Sequence, residues 1–260
     1  MNNKYHDRVD IYDEMMNSSR VIAASFPDPR FYESCAAQLA DSHRIYRQAP
    51  LVGRCRKAIA QDLARNPSHG LDHAEKVALE AGALVLAEGA RTGLEGSDGK
   101  EIAALAQVAG LLHDMRRGDK DHARSGAIAA GSLLDNLGVP EKDGQYVVQA
   151  IANHEAFVEP PMIVSAIGKL VGDALYDADK FRWGPDNFTV TIWEMLRFAH
   201  ASVVAVIPRF PEGMEGIARI KGTFRSHTGR IFGPEFIDLG LSMGNKIYEF
   251  LRERFAGDLT

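Results

Sequence analysis

The chain has 260 residues, 45% of them hydrophobic and 25% charged, with a formal net charge of -5. That is enough apolar material for one large domain, and the composition is ordinary for a soluble globular protein. The negative balance excludes a general attraction for nucleic acid or for an anionic membrane surface. The two cysteines, Cys35 and Cys55, give no disulfide framework and point to a reducing, cytoplasmic setting.

The N-terminal stretch MNNKYHDRVDIYDEMMN lacks the apolar core of a signal peptide. No run approaches the ~18 apolar residues of a membrane span, and the longest, Ala201 to Pro208, is far shorter. From Val9 to Ala64 the pattern predicts helices broken at Pro27-Asp28-Pro29 and near Pro50, followed by a loop at Asn66-Pro67-Ser68-His69-Gly70. A helix is expected to start near Asp72, which stands in capping-box spacing with Glu75. Leu71, Ala74, Ala78, Ala81 and Val85 give that helix its period. Thr92 to Lys100 is polar and glycine-containing and reads as a surface loop. Helices follow from Glu101 to about His113, from His122 to Leu137 with a stop at Gly138-Val139-Pro140, from Glu141 to about His154, and from about Met162 to Phe181. Pro160-Pro161 separates the last two. Trp193 to Val206 reads as a further helix, Pro208 to Gly233 as a long structured loop, and Pro234 to Phe255 as the last helix. Strand-like alternation is scarce, so the fold class is all-α, a helical bundle.

Several of the nine histidines stand where a core helix should be apolar. His113 follows Ala106, Ala109 and Gly110 on one helical face, and His154 follows Val147, Ala150 and Ile151. His73 precedes Val77, Ala81 and Leu84, and Asp179 follows Val171 and Leu175. Steps of three and four keep residues on one side of a helix, so these groups point inward beside apolar neighbours. A lone inward histidine is usually a hydrogen-bonded core residue. A series of His, His-Asp, His, His and Asp, each at a helix end or on a core face, is better explained by a divalent metal that satisfies them together.

That series resembles the HD superfamily of metal-dependent phosphohydrolases. The resemblance rests on Gly70-Leu71-Asp72-His73-Ala74-Glu75-Lys76-Val77, on Ala109-Gly110-Leu111-Leu112-His113-Asp114, and on Asp177-Ala178-Asp179-Lys180. It implies an HD-like helical bundle with extra N-terminal and C-terminal helices. It further implies His73, His113, Asp114 and Asp179 as metal ligands, with Asp177 as the alternative closing ligand. His122-Ala123-Arg124-Ser125-Gly126-Ala127 and Ala152-Asn153-His154-Glu155 resemble a subgroup that holds two metals. There His122 and His154 would join a bridging Asp114 on the second ion. The resemblance covers about residues 69 to 182. The chain is then a single HD-type domain over 1–260, with a metal-site core at about 66–182 and flanking helices at 1–65 and 190–260. Those helices either pack on the core or form a homodimer contact.

Imidazole and carboxylate ligands suit one or two ions of manganese, iron, nickel, cobalt or zinc, and magnesium less well. Such a metal supplies hydroxide near neutral pH, so the expected reaction is hydrolysis of a phosphate ester or phosphoanhydride of a nucleotide or other small phosphorylated metabolite. Catalytic roles fall to Asp114, to Arg117 as the first choice of phosphate-binding cation, and to Lys180. Arg116 is a weaker candidate. The basic stretch Lys221 to Arg230 reads either as an exposed connector or as a loop able to close over an anion. Glu155, Asp119, Asp121 and His69 are unassigned acid/base candidates. Two alternatives remain at this stage: a di-iron oxygenase, since the ligand series is also similar to that of the inositol oxygenase group, and a non-catalytic metal-binding or signalling module.

Overall fold

The computed structural model describes residues 10–63, 70–94, 96–159, 163 and 165–258. Among the described residues there is no β-strand. The expected loop around His69, the Pro160-Pro161 break and Met162 lie outside them.

The centre of the protein is built by α5 (Leu71–Thr92), α6 (Gly96–Leu112), α8 (Glu141–Ala152) and α9 (Ala166–Phe181). α5 packs against α6 and α9, and α8 packs against α6 and α9 from the other side. Their contact faces carry Val77, Ala81 and Leu84 from α5, and Ala106, Ala109 and Leu112 from α6. Val147 and Ile151 come from α8, and Val171 and Leu175 from α9, all buried. These are the apolar periods visible in the sequence, and burying them is the driving force of the bundle. α7 (His122–Asn136) lies on α8. It ends where expected, at Gly138 in the left-handed region (φ +68°), a backbone state that glycine adopts without steric cost.

The flanking segments cover this centre. α3 (Ala36–Gln48) packs on α5 and α6, and α4 (Pro50–Leu63) packs on α6. α1 (Ile11–Ala23) and the long α13 (His227–Arg254) pack on one another, and α13 also meets α5 and α9. The short α2 (Phe31–Ser34) brings Phe31 and Tyr32 beside Phe236 of α13. Of the two outcomes left open for the flanking helices, packing on the core is the arrangement present here. Both cysteines are free and buried.

Several expected boundaries move. α5 begins at Leu71 with Gly70 at the cap position and no side-chain cap bond. Asp72 therefore lies inside the first turn, where it favours the positive end of the helix dipole but does not cap it. Its expected partner Glu75 accepts instead from the Tyr46 hydroxyl at 3.0 Å. The expected loop at Thr92 to Lys100 is shorter, because α6 starts at Gly96 and uses the polar Ser97 and Asp98 as its first turn. The helix expected over Trp193 to Val206 is split into α10 (Ile192–Phe198) and α11 (Val203–Val206). His200, at φ +50°, turns the chain between them. A single π turn at Asn187–Thr191 leads into α10, and the Trp193 indole N–H donates to the Phe188 carbonyl at 2.9 Å.

The long loop expected at Pro208 to Gly233 is largely helical. α12 (Phe210–Ala218) carries Pro211 in its first turn, where a missing N–H costs no helix bond, and Phe210, Met214 and Ile217 recur at helical spacing. α13 then starts at His227, capped by the Ser226 hydroxyl, and continues through Pro234. The proline removes one backbone donor. The buried face of Phe236, Ile237, Met243 and Ile247 holds the helix in register past it. Gly233 is required there by packing, since a Cβ would stand 2.5 Å from the Phe224 ring.

A close approach of α6 to α5 sets the position of the polar centre described below. A Cβ on Gly110 of α6 would lie 2.6 Å from the Ala78 Cα and 2.7 Å from its nitrogen on α5. The two backbones touch at this level, one turn before His113. Gly110→Ala is expected to separate α5 from α6 and to cost about 1–3 kcal/mol of stability by overpacking, measured by urea unfolding.

Candidate metal centre

The groups singled out in the sequence converge. His73 comes from the first turn of α5, His113 and Asp114 from the turn directly after α6, and Asp179 from the last turn of α9. His73 Nε2 and His113 Nε2 are 3.3 Å apart. Asp114 Oδ2 stands 3.4 Å from His113 Nε2 and 3.9 Å from His73 Nε2. Asp179 Oδ1 stands 3.6 Å from His73 Nε2 and 3.7 Å from His113 Nε2. Metal–ligand bonds of about 2.0–2.2 Å put neighbouring ligand atoms roughly 3 to 3.5 Å apart; His73, His113 and Asp114 are grouped closely enough to hold a metal, and Asp179 faces both histidines from beside them.

A second group adjoins the first through Asp114. Its Oδ1 faces His154 Nε2 at 3.8 Å, and His122 completes a set whose ligand atoms all lie within 4.8 Å of one another. His154 follows the end of α8 and His122 opens α7. Asp114 thus turns one carboxylate oxygen to each group.

Helix ends fix the protonation of the rings. His113 Nδ1 lies 2.7 Å from the Gly110 carbonyl, and His154 Nδ1 lies 2.7 Å from the Ile151 carbonyl. A carbonyl only accepts, so each Nδ1 carries the proton and each Nε2 turns a lone pair inward. These carbonyls belong to the last turns of α6 and α8, where helix geometry leaves acceptors over. His122 has the same polarity: its Nδ1 donates to Glu155 Oε1 at 2.9 Å. His154 Nε2 is buried and has no hydrogen-bond partner. A buried lone pair that faces a carboxylate at 3.8 Å fits a cation between them.

The electrostatics agree. Burial pushes the His73 ring below its ordinary pKa, and burial together with the Arg117 guanidinium does so at His122. Burial also opposes protonation of His113, but Asp114 and Asp179 overcome it and pull the ring up, a measure of how strongly this pocket favours positive charge. Burial alone would raise the Asp179 carboxyl; the Lys180 ammonium and the His73 and His113 rings hold it well below the carboxylate range.

The expected cations have distinct places. Lys180 is buried, with Nζ 2.5 Å from Asp179 Oδ2. It holds the carboxylate so that Oδ1 faces the histidines, and its ammonium also lies over the Tyr176 ring at 5.1 Å. Arg117 Nη1 donates to His122 Nε2 at 2.9 Å and lies 3.8 Å from Asp114 Oδ1. The guanidinium therefore occupies the approach to the second group, and an ion bound by His122 requires Arg117 to turn away. Arg116, Asp119 and Asp121 are exposed.

The basic stretch Lys221 to Arg230 does not close over the centre. Lys221 pairs with Asp238 at 2.6 Å, Arg230 donates to the Phe224 carbonyl at 3.2 Å, and Arg225 lies 3.5 Å from the centre of the Tyr176 ring while donating to the Asn153 carbonyl. The alternative closing ligand Asp177 is committed to this segment. Its carboxylate accepts the backbone N–H groups of Arg225 and Ser226, each at 2.8 Å. Asp177 and Asp179 are two residues apart, so they leave α9 in different directions, and only Asp179 reaches the histidines.

The centre opens into a cavity of about 630 Å³ lined by His73, His122, His154, Arg117 and Asp179 at one end. Glu155 and Lys180 also line it; the sequence did not single out the remaining wall, which comes from Arg182, Trp183 and residues 156–158 and 187–220. The one signal was the unusual apolar content of that segment. This is an all-α protein with a buried His/Asp donor cluster at the floor of a cavity. No family model matches the chain, and no curated protein matches it. Among solved structures, the crystal structure of a predicted HD superfamily hydrolase from an uncultured Thermotogales bacterium is similar to it, with 21% sequence identity, coverage of 89% of this chain and 94% of that chain, and a TM-score of 0.37.

Asp179→Asn is expected to lower affinity for manganese or zinc at least about 100-fold, whereas Asp177→Asn is expected to lower stability by about 1–3 kcal/mol and leave metal affinity nearly unchanged. Calorimetric metal titration beside urea unfolding separates the two.

Proposed function

We propose that this protein is a metal-dependent phosphohydrolase of the HD type, acting on a small phosphorylated substrate. The observation that carries the reading is the grouping of His73 Nε2, His113 Nε2 and Asp114 Oδ2, 3.3–3.9 Å apart, with Asp179 Oδ1 3.6–3.7 Å from both histidines, beside an open cavity. These residues would hold one divalent transition metal, and His122, His154 and Asp114 Oδ1 would be the donors for a second. A metal so held polarises a phosphoryl oxygen and supplies hydroxide at neutral pH.

The chain's own groups do the rest. The Gly110 and Ile151 carbonyls keep the His113 and His154 rings in the ligating tautomer. Lys180 keeps Asp179 ionised and aimed. Arg117 lines the cavity beside the donors, where its guanidinium can pair with two phosphate oxygens as it leaves His122. Glu155 fixes His122 and lines the cavity wall.

Protein purified without chelator is expected to carry at least one equivalent of transition metal, and Asp114→Ala to lose both the metal and phosphate release. Arg117→Gln is expected to lower kcat/KM by about 10²–10³ without lowering metal stoichiometry, because it binds the transferred group and not the ion. Elemental analysis beside phosphate-release assays on a panel of esters tests both. No metal uptake from manganese, iron, nickel, cobalt or zinc would sink the enzymatic reading, and bound iron with consumption of dioxygen would replace hydrolysis by oxygenation.

A further inference from the structure

The cavity over the metal centre is polar at one end only. Away from His73, Arg117, His122, His154, Glu155, Asp179 and Lys180, its wall is made by Arg182, Trp183, residues 156–158, the 187–191 turn, α10, α12 and the segment between these two helices. The side chains that matter are Phe188, Ile192, Met195 and Leu196 on one side and Met214 and Ile217 on the other. Glu155, Lys180 and Arg182 also line the cavity but are paired with His122, Asp179 and Glu80, which leaves Trp183, Asn187, Thr191 and Arg209 as the polar side chains of this region. That is too few donors and acceptors to satisfy a sugar and a base, each of whose buried polar groups costs about 1–3 kcal/mol when unmatched.

The wall is also not closed core. Met195 is 50% exposed, and Phe157 and Val158, at the same cavity, are 64% and 55% exposed. Phe157 holds a left-handed backbone (φ +64°), uncommon for a bulky residue, and its ring lies under the Arg219 guanidinium at 5.5 Å. The stretches Asn187–Phe198 and Val203–Gly222, bent 118° to one another, are together as apolar as a membrane-spanning pair. Here they enclose the cavity, which accounts for that apolar content without a bilayer.

We infer that the substrate is an amphiphile: a phosphate monoester whose alcohol is an extended apolar chain, the phosphate at the donor cluster and the chain along α10 and α12. This rests on the hydrolase reading above and narrows it. In the reaction the water oxygen bonds to phosphorus, the bond from phosphorus to the alkyl oxygen breaks, and the water proton passes to that oxygen, giving the free alcohol and inorganic phosphate. The cavity volume of about 630 Å³ lies in the range of sites that enclose such ligands. The charge complement is present: Arg117 and the metal donors at one end, apolar side chains at the other.

The experiment uses two matched series on the metal-loaded full chain, below micelle-forming concentrations. Alkylphosphonates from methyl to decyl are titrated by calorimetry, and the corresponding alkyl phosphates are assayed for phosphate release. Affinity and kcat/KM are expected to rise about three- to fourfold per added methylene until the cavity is filled. Met195→Asp and Met214→Asp, made separately so that one misfolded variant does not decide the matter, are expected to lower the decyl-to-methyl affinity ratio at least tenfold. A flat or falling series, or no binding of decylphosphonate, overturns the inference; release of phosphate from short polar esters in that case leaves the hydrolase reading standing. A rising phosphonate series with no phosphate released from any ester keeps the amphiphile site and removes the hydrolase.

Discussion

Two carboxylates buried in an apolar bundle set the terms for the rest of this structure. Asp114 and Asp179 are drawn into the contact between α5, α6 and α9, where an uncompensated charge is costly. Each nearby feature answers that cost. Lys180 is buried against Asp179, Arg117 approaches Asp114, and the His113 ring is pulled toward protonation by both acids. A cation held by His73, His113 and Asp114 beside Asp179 would meet the same demand. The rings are prepared for it, because helix carbonyls hold their Nδ1 protons on the far side.

The surrounding fold serves this centre by fixing distances. Gly110 lets α6 touch the backbone of α5, which brings the turn after α6 to His73. At the far end of α9, the buried Arg182 joins Glu80 of α5 at 2.6 Å and Tyr32 at 3.1 Å, locking α2, α5 and α9 together just past Asp179. Asp177 ties the start of α13 to the same helix. Three contacts of different kinds, steric, ionic and hydrogen-bonded, therefore hold the ends from which the donors project. A donor cluster needs such rigidity, since a shift of about half an ångström degrades a ligand shell.

The cavity assigns a different task to the C-terminal part. Residues 187–222 contribute little to the donor cluster and much to what lies above it. Their apolar side chains, Ile192, Met195, Leu196, Met214 and Ile217 among them, line the cavity of about 630 Å³ beside the charged donors.

The sequence by itself determined the helical class and the apolar faces of the central helices, and it singled out the His and Asp side chains that the fold brings together. Periodicity of three and four residues is a local property, and an inward His or Asp on such a face is legible without coordinates. It could not choose between Asp177 and Asp179, which differ by 200° around one helix; the backbone of residues 225–226 claims the first and the histidines the second. It misread Asp72 as a cap and residues 208–233 as a loop, because glycine and proline weaken a helix locally, whereas the burial that sustains α12 and α13 comes from distant partners. Only the tertiary structure decided that Arg117 lies against His122, that Lys180 serves Asp179, and that an apolar cavity opens over the centre. The first two pair residues close in sequence, but which way their side chains turn is set by the packing around them, and the cavity joins segments far apart in the chain, so no local pattern encodes the outcome.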